Sequence, residues 1–221
     1  MMRSLGKWLG RALLAVAVLA FALWAWPREV AVAPPAFDAA ALPEDLDGWL
    51  AQRESVFADI VPGTQKRIVW AGATGERTPL ALVYVHGFSA TSEEIRPVPD
   101  KAAATLGANL YLTRLAGHGR GGAAMAQASA ADRMVDLAEA LAIGARIGDR
   151  VVVIGTSTGA AVTLAGLGTP ALRAAMPAME KVAGVVFVSP NFRLASALNN
   201  IILDLPGAPA FVPLLIGAER A

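Results

Sequence analysis

Short apolar runs rich in β-branched residues alternate along this chain with stretches of helical spacing, and that alternation leaves few folds open. The runs cover residues 66–70, 80–85, 109–113, 150–154 and 184–189 and read as strands. Helical patterns follow at 93–106, 129–146 and 158–167, and a further helix is expected ahead of them at 43–57. The pattern at 129–146 is the best marked. Ser129-Ala-Ala-Asp132 has the form of a capping box, and Met134, Leu137, Ala138 and Leu141 fall on one face. Strands that alternate with helices make a parallel sheet with both faces covered. The expected fold is therefore α/β, a mainly parallel sheet with helices on both faces.

A different pattern precedes the domain. Arg3, Lys7 and Arg11 lead into an uncharged run of Ala, Leu, Val and Phe over residues 12–26, closed by Trp24, Trp26 and Pro27. Cations ahead of an apolar run with tryptophans at its edge mark an export signal or a membrane anchor. Ala31-Val-Ala33 resembles a cleavage site, but Pro34 directly after it obstructs a signal peptidase. Residues 1–26 are accordingly expected to form an uncleaved membrane-anchor helix. By the positive-inside tendency the cations stay cytoplasmic, and the remainder lies on the extracytoplasmic side, periplasmic in a bacterium. Residues 27–37, centred on Pro34-Pro35, lack periodicity and read as a Pro-rich linker to a domain over 38–221.

Composition excludes some partners. A formal net charge of +1, with charged residues only 17% of the 221, provides no broad phosphate-binding surface, so no nucleic-acid partner is expected. The chain has no cysteine, hence no disulfide and no thiolate metal site. Neither metal nor cofactor is expected.

Ligands of such sheets bind beyond the carboxyl ends of the strands, which directs attention to the loops after Val85, Thr113, Ile154 and Ser189. Gly155-Thr-Ser-Thr-Gly159 has the G-x-S-x-G form, with Ser157 on a sharp strand-to-helix turn and the glycines permitting close approach. Five residues alone say little, but an apolar strand precedes them and Ala160-Ala-Val-Thr-Leu-Ala165 continues as a helix. In Val83-Tyr-Val-His-Gly-Phe-Ser89, the His-Gly pair at a strand end sets the backbone N–H of Phe88 where negative charge on an acyl oxygen would develop. The N–H of Thr158 would be its partner in an oxyanion hole. The side chain of His86 reads as structural.

These stretches resemble the α/β-hydrolase family, in particular its esterase, lipase and monoacylglycerol-lipase-like branches. The resemblance covers about residues 67–192 and rests on Val85-His-Gly-Phe88, Leu115-Ala-Gly-His-Gly-Arg120, Gly155-Thr-Ser-Thr-Gly159 and Val186-Phe-Val-Ser-Pro190. It implies Ser157 as nucleophile, Phe88 and Thr158 as oxyanion donors, Gly87, Gly155 and Gly159 as motif glycines, and a small apolar ester as substrate. Gly117-His-Gly-Arg-Gly-Gly122 also fits a dinucleotide loop, but the next helix signal waits until Ser129, leaving a pyrophosphate without a helix N-terminus. Arg114 and Arg120 read as solvated loop charges.

The family order is serine, acid, histidine. After Ser157 this sequence holds Glu180, Asp204 and Glu219 and no histidine, and its only two histidines, His86 and His118, lie upstream in loops that already have roles. The expectation is a C-terminally incomplete copy of a membrane-tethered ester hydrolase, inactive in this form, with residues 201–216 opening a lid and 184–189 left at the sheet edge. The alternative is a non-catalytic, membrane-tethered binding module of the same fold.

Overall fold

The computed structural model describes residues 2–25 and 32–192. The first of these segments is helix α1 (Met2–Ala25), which falls outside the compact unit Val32–Phe192. Its Arg11 guanidinium lies 5.5 Å from the centre of the Trp8 ring, and Leu13, Leu14, Val16 and Val18 are all exposed. Among the described residues, no helix is long and apolar enough to cross a membrane. The described residues thus do not support the membrane-anchor helix expected over 1–26. Of the expected linker, 27–31 lies outside the described residues, while Val32 and Phe37 pack against the core and Pro35 is buried. The expected lid at 201–216 also lies outside the described residues.

Within Val32–Phe192 the order is α2 (Leu46–Glu54), β1 (Arg67–Val69), β2 (Thr78–Val85), α3 (Val98–Leu106), β3 (Asn109–Leu112), α4 (Gly122–Gln127), α5 (Ala130–Ile147), β4 (Gly148–Thr156), α6 (Thr158–Gly168), α7 (Pro170–Ala174) and β5 (Val182–Val188). The strands form one sheet in the order β1-β3-β2-β4-β5. Only the short β1 runs antiparallel; β3, β2, β4 and β5 are parallel, with Val85 opposite Gly155 and Thr156 opposite Val188. Among the described residues β5 stands at the edge, its Val186 half exposed.

Period-two alternation along β2 divides the core in two. Ala81, Val83 and Val85 face Leu46 and Leu50 of α2 and Met134, Leu137 and Leu141 of α5, joined by Val162 of α6. Leu82 and Tyr84 face the other way, with Leu110, Leu112 and Ile154, onto Ala103 of α3. Both faces are covered, as a buried parallel sheet requires.

The capping box of α5 is formed: Ser129 Oγ accepts the Asp132 N–H at 3.2 Å and Asp132 Oδ2 accepts the Ser129 N–H at 2.8 Å. The helix expected at 93–106 is instead two elements, a 3₁₀ turn over Ser92–Ile95 and then α3, because Pro97 has no N–H to continue a helix and α3 starts only beyond it. Helix α4 was not foreseen; its six residues, Gly122–Gln127, are too few for a periodic signal.

Leu137 is fully buried at the centre of the α5 face and lines the space over Gly166. Leu137→Ala is expected to lower unfolding stability by about 2–5 kcal/mol, read as a lower urea midpoint at an unchanged m-value.

Candidate active site

Ser157 is the single residue between β4 and α6, and the chain reverses there within one position. Its φ of 49° and ψ of −113° put a non-glycine residue in a region L-residues rarely occupy. Hydrogen bonds hold the turn on both sides: the Ser157 N–H donates to Val188 O of β5 at 3.0 Å, and its carbonyl accepts from Ala160 and Ala161 N–H at 3.1 and 3.2 Å. The flanking glycines are required by space. A Cβ on Gly155 would stand 2.8 Å from the Cα of Ala160, and one on Gly159 would collide with the carbonyl oxygens of Val85 and His86. Helix α6 can thus start directly against the end of β2.

That contact brings the second loop to the serine. Gly87 follows the last residues of β2, and its missing Cβ would lie 3.2 Å from the Cβ of Ser157. The sequence-expected residues Gly87, Phe88, Gly155, Ser157, Thr158 and Gly159 therefore come from two adjacent strand ends, those of β2 and β4. Among the described residues, neither the Phe88 nor the Thr158 backbone N–H donates to a protein acceptor. Thr158 is moreover the first residue of α6, where the helix dipole favours negative charge.

His86 is fully buried and fully used. Its Nε2 accepts the Leu115 N–H at 3.0 Å, so the proton sits on Nδ1, which donates to Gly87 O at 2.9 Å. Burial pushes its pKa down to about 4, helped by the neighbouring His118 and Arg114 and opposed by the bond to Gly87 O. It is neutral at pH 7 and serves to orient the loop, in keeping with the sequence reading of its side chain. The His118 ring lies 4.9 Å from it, tilted by 59°, with Nδ1 on Ala116 O at 3.0 Å. It belongs to the loop after β3, two strands from β4.

Arg114 departs from its expected role as a solvated loop charge. It is buried and grips Glu54 through Nε and Nη2 at 2.6 and 2.7 Å, with Nη1 on His118 O at 3.0 Å. Burial alone would raise the Glu54 pKa; hydrogen bonds from Arg114 and the Lys66 N–H, with both positive charges, outweigh it and hold the carboxyl below its usual value. Arg120 is paired with Asp59 at 2.7 Å. These ion pairs, with Asp136 accepting the Ala116 N–H at 2.6 Å, lock the loop from 114 to 120. A Cβ on Gly117 would press on Ala124 O and Met125 Cα at 2.7 Å, so protein fills the space a dinucleotide phosphate would need, although α4 does open directly after Gly121.

A further carboxylate lies at the site without any motif to announce it. Glu94, in the 3₁₀ turn, accepts the Gly87 N–H at 2.9 Å and the Tyr84 hydroxyl at 3.0 Å, and the Tyr84 oxygen meets Thr156 Oγ1 at 3.1 Å. Burial first, and the Glu94 carboxylate with it, push the Tyr84 hydroxyl far above its ordinary pKa, so it remains a donor. The contact depends on the turn between β2 and α3, and Ser92-Glu-Glu-Ile95 gives no hint of it in the sequence.

The model of the alpha/beta hydrolase family matches residues 82–220. A solved structure reported for LipS and LipT, two metagenome-derived lipolytic enzymes, is similar at TM-score 0.52 and 22% identity over 65% of this chain and 52% of that one. A bacterial heroin esterase is similar at TM-score 0.40 and 20% identity, over 79% of this chain and 59% of the other. The chain thus spans little more than half the length of either. No curated protein matches it.

A buried histidine with a depressed pKa has a definite pH signature. Between pH 6.5 and about 4 the unfolded chain binds the proton and the folded chain does not, so stability falls as pH falls through that window. His86 alone is expected to remove roughly 3 kcal/mol across it, and His118, also depressed by burial, acts in the same direction. Urea unfolding at a series of pH values reads this; a flat profile between pH 6.5 and 4.5 would show that His86 is not held neutral.

Proposed function

Since the chain belongs to the alpha/beta hydrolase family, we propose that it is a serine hydrolase of carboxylic esters by type, with Ser157 as nucleophile and the backbone N–H groups of Phe88 and Thr158 as oxyanion donors, and inactive in the 221-residue form for want of a base. One observation carries the reading: a serine at positive φ on a strand-to-helix turn, with the Gly87 loop packed against it. Ser157 Oγ would attack the ester carbonyl and lose its proton to a base, while the carbonyl oxygen becomes an oxyanion facing the two N–H groups. Collapse expels the alcohol, and water then releases the acid from the acyl-serine. An apolar substrate fits the surroundings: Phe88 is 58% exposed, and Phe187 of β5 meets Phe192 edge-to-face at 5.3 Å.

The base is the missing part. His86 has both ring nitrogens engaged, and His118, in the loop after β3, has its Nδ1 on Ala116 O and its ring against those of His86 and Phe88. We assign neither, and no histidine follows Ser157 in the sequence. The 221-residue chain is therefore expected to hydrolyse p-nitrophenyl esters hardly faster than buffer, since loss of the triad histidine costs about a million-fold. Free imidazole should substitute for the base and raise the rate above that of Ser157→Ala in the same imidazole buffer. Strong turnover without imidazole that disappears in Ser157→Ala would return the search to His118. Equal rates for the two proteins in imidazole, with an ester analogue still bound, would favour the non-catalytic binding module.

We also propose that residues 1–26 tether the domain to a membrane, with Arg3, Lys7 and Arg11 cytoplasmic and the hydrolase domain on the extracytoplasmic side. The supporting observations are the cations ahead of an apolar run and the exposed Leu13, Leu14 and Val16 of α1. The full chain should stay with membranes through an alkaline carbonate wash, and removal of residues 1–31, which leaves the compact unit from Val32 intact, should release it. A soluble full chain would end the proposal, and a mature N-terminus near Pro34 would identify a cleaved signal instead.

A further inference from the structure

Gly87 is the weak point of the oxyanion loop. Lacking a side chain, it lets both adjoining peptide planes rotate, and the direction of the Phe88 N–H depends on them. The structure restrains each plane with one hydrogen bond. His86 Nδ1–H holds Gly87 O at 2.9 Å, and because a trans peptide sets its N–H opposite its carbonyl, this aims the Phe88 N–H away from the His86 ring. Glu94 Oε2 holds the Gly87 N–H at 2.9 Å, which sets the preceding plane.

The carboxylate is itself supported. Thr91 Oγ1 accepts the Glu93 N–H at 3.3 Å and starts the 3₁₀ turn. Glu93 pairs with Arg67 and Arg96, and Arg96 grips Asp100 at the start of α3, so Glu93 is drawn to one side and Glu94 is free to turn to the other. There Oε2 also accepts the Tyr84 hydroxyl, which touches Thr156, the residue before Ser157. One oxygen thus joins the end of β4 to the loop after β2. The second, Oε1, comes 2.7 Å from the vacant Cβ position of Gly87, a point only 3.2 Å from the Cβ of Ser157.

We propose that Glu94 is a positioning residue of this site: its carboxylate sets the plane of the His86–Gly87 peptide, and so presents the Phe88 N–H to the acyl oxygen on Ser157. This rests on the ester-hydrolase reading above and adds to it a residue outside the family-like motifs. Glu94 does not touch the reacting atoms; it acts through Gly87.

The test compares the full chain with Glu94→Ala and Glu94→Gln in three measurements: imidazole-supported hydrolysis of a p-nitrophenyl ester, the NMR shift and exchange rate of the Gly87 amide proton, and the urea midpoint. Misplacing one oxyanion donor should lower kcat of Glu94→Ala roughly 10- to 100-fold with KM nearly unchanged. The Gly87 amide should lose its carboxylate-bonded shift and exchange faster. Glu94→Gln, which keeps an acceptor oxygen, should recover most of both. An unchanged kcat and Gly87 amide in Glu94→Ala would overturn the assignment. So would a loss shared equally by Glu94→Gln and matched by a lowered urea midpoint, since that marks a merely structural residue. If the unmodified chain shows no Ser157-dependent hydrolysis with imidazole present, the ester-hydrolase reading fails. The Gly87 amide then decides the clamp alone: a response to alanine and not to glutamine upholds it, and no response removes it.

Discussion

The backbone of α6 starts so close to the end of β2 that position 159 has no room for a side chain. Much of the site follows from this contact. It forces the reversal at Ser157 into a single residue at positive φ, and it brings the Gly87 loop against the serine. The strain of such a residue, of order 1–3 kcal/mol, persists only where the surroundings over-determine it. Here they do so through the bonds from Ser157 to β5 and to the first turn of α6, and through a sheet buried on both faces.

Around this apolar frame the loops at the carboxyl ends of the strands are held by polar groups taken out of water. Arg114 with Glu54, Lys66 with Asp136 and Glu139, and Asp136 with the Ala116 N–H fix the loop after β3. Buried ion pairs contribute little net stability, because desolvation offsets the attraction, yet removing one partner is costly. Their effect is therefore geometric: the loop has one arrangement in which every charge is satisfied. His86 works in the same way between two loops, accepting from Leu115 and donating to Gly87. A histidine so engaged is a strut, unavailable for proton transfer, and the 221 residues leave the base of a triad unaccounted for.

The strands were legible because their signal is local. Each expected strand lies within a few residues of an observed one, and the capping box at Ser129 formed with the partners its spacing implies. The helix expected at 93–106 failed at Pro97, where a missing N–H outweighs an otherwise helical pattern, and α4 escaped notice because six residues carry no period. Of the candidate site, Ser157, Thr158, Gly155 and Gly159 were readable as one motif, with Gly87 and Phe88 as a second.

The alternation of strands and helices, the serine turn and the His-Gly loop are thus all set by neighbours within a few residues. That the two loops meet was expected from the motifs, but the contact itself comes from the pairing of β2 and β4, which sets Val85 opposite Gly155. Only the tertiary structure decided that Arg114 is an internal pair for Glu54 sixty positions away, and that Glu94 rather than Glu93 faces Gly87. The physical reason is the same throughout. Periodicity records which face of its own element a residue occupies, whereas a hydrogen bond or a missing Cβ depends on which other element crosses that face, and that is settled only when the sheet is assembled.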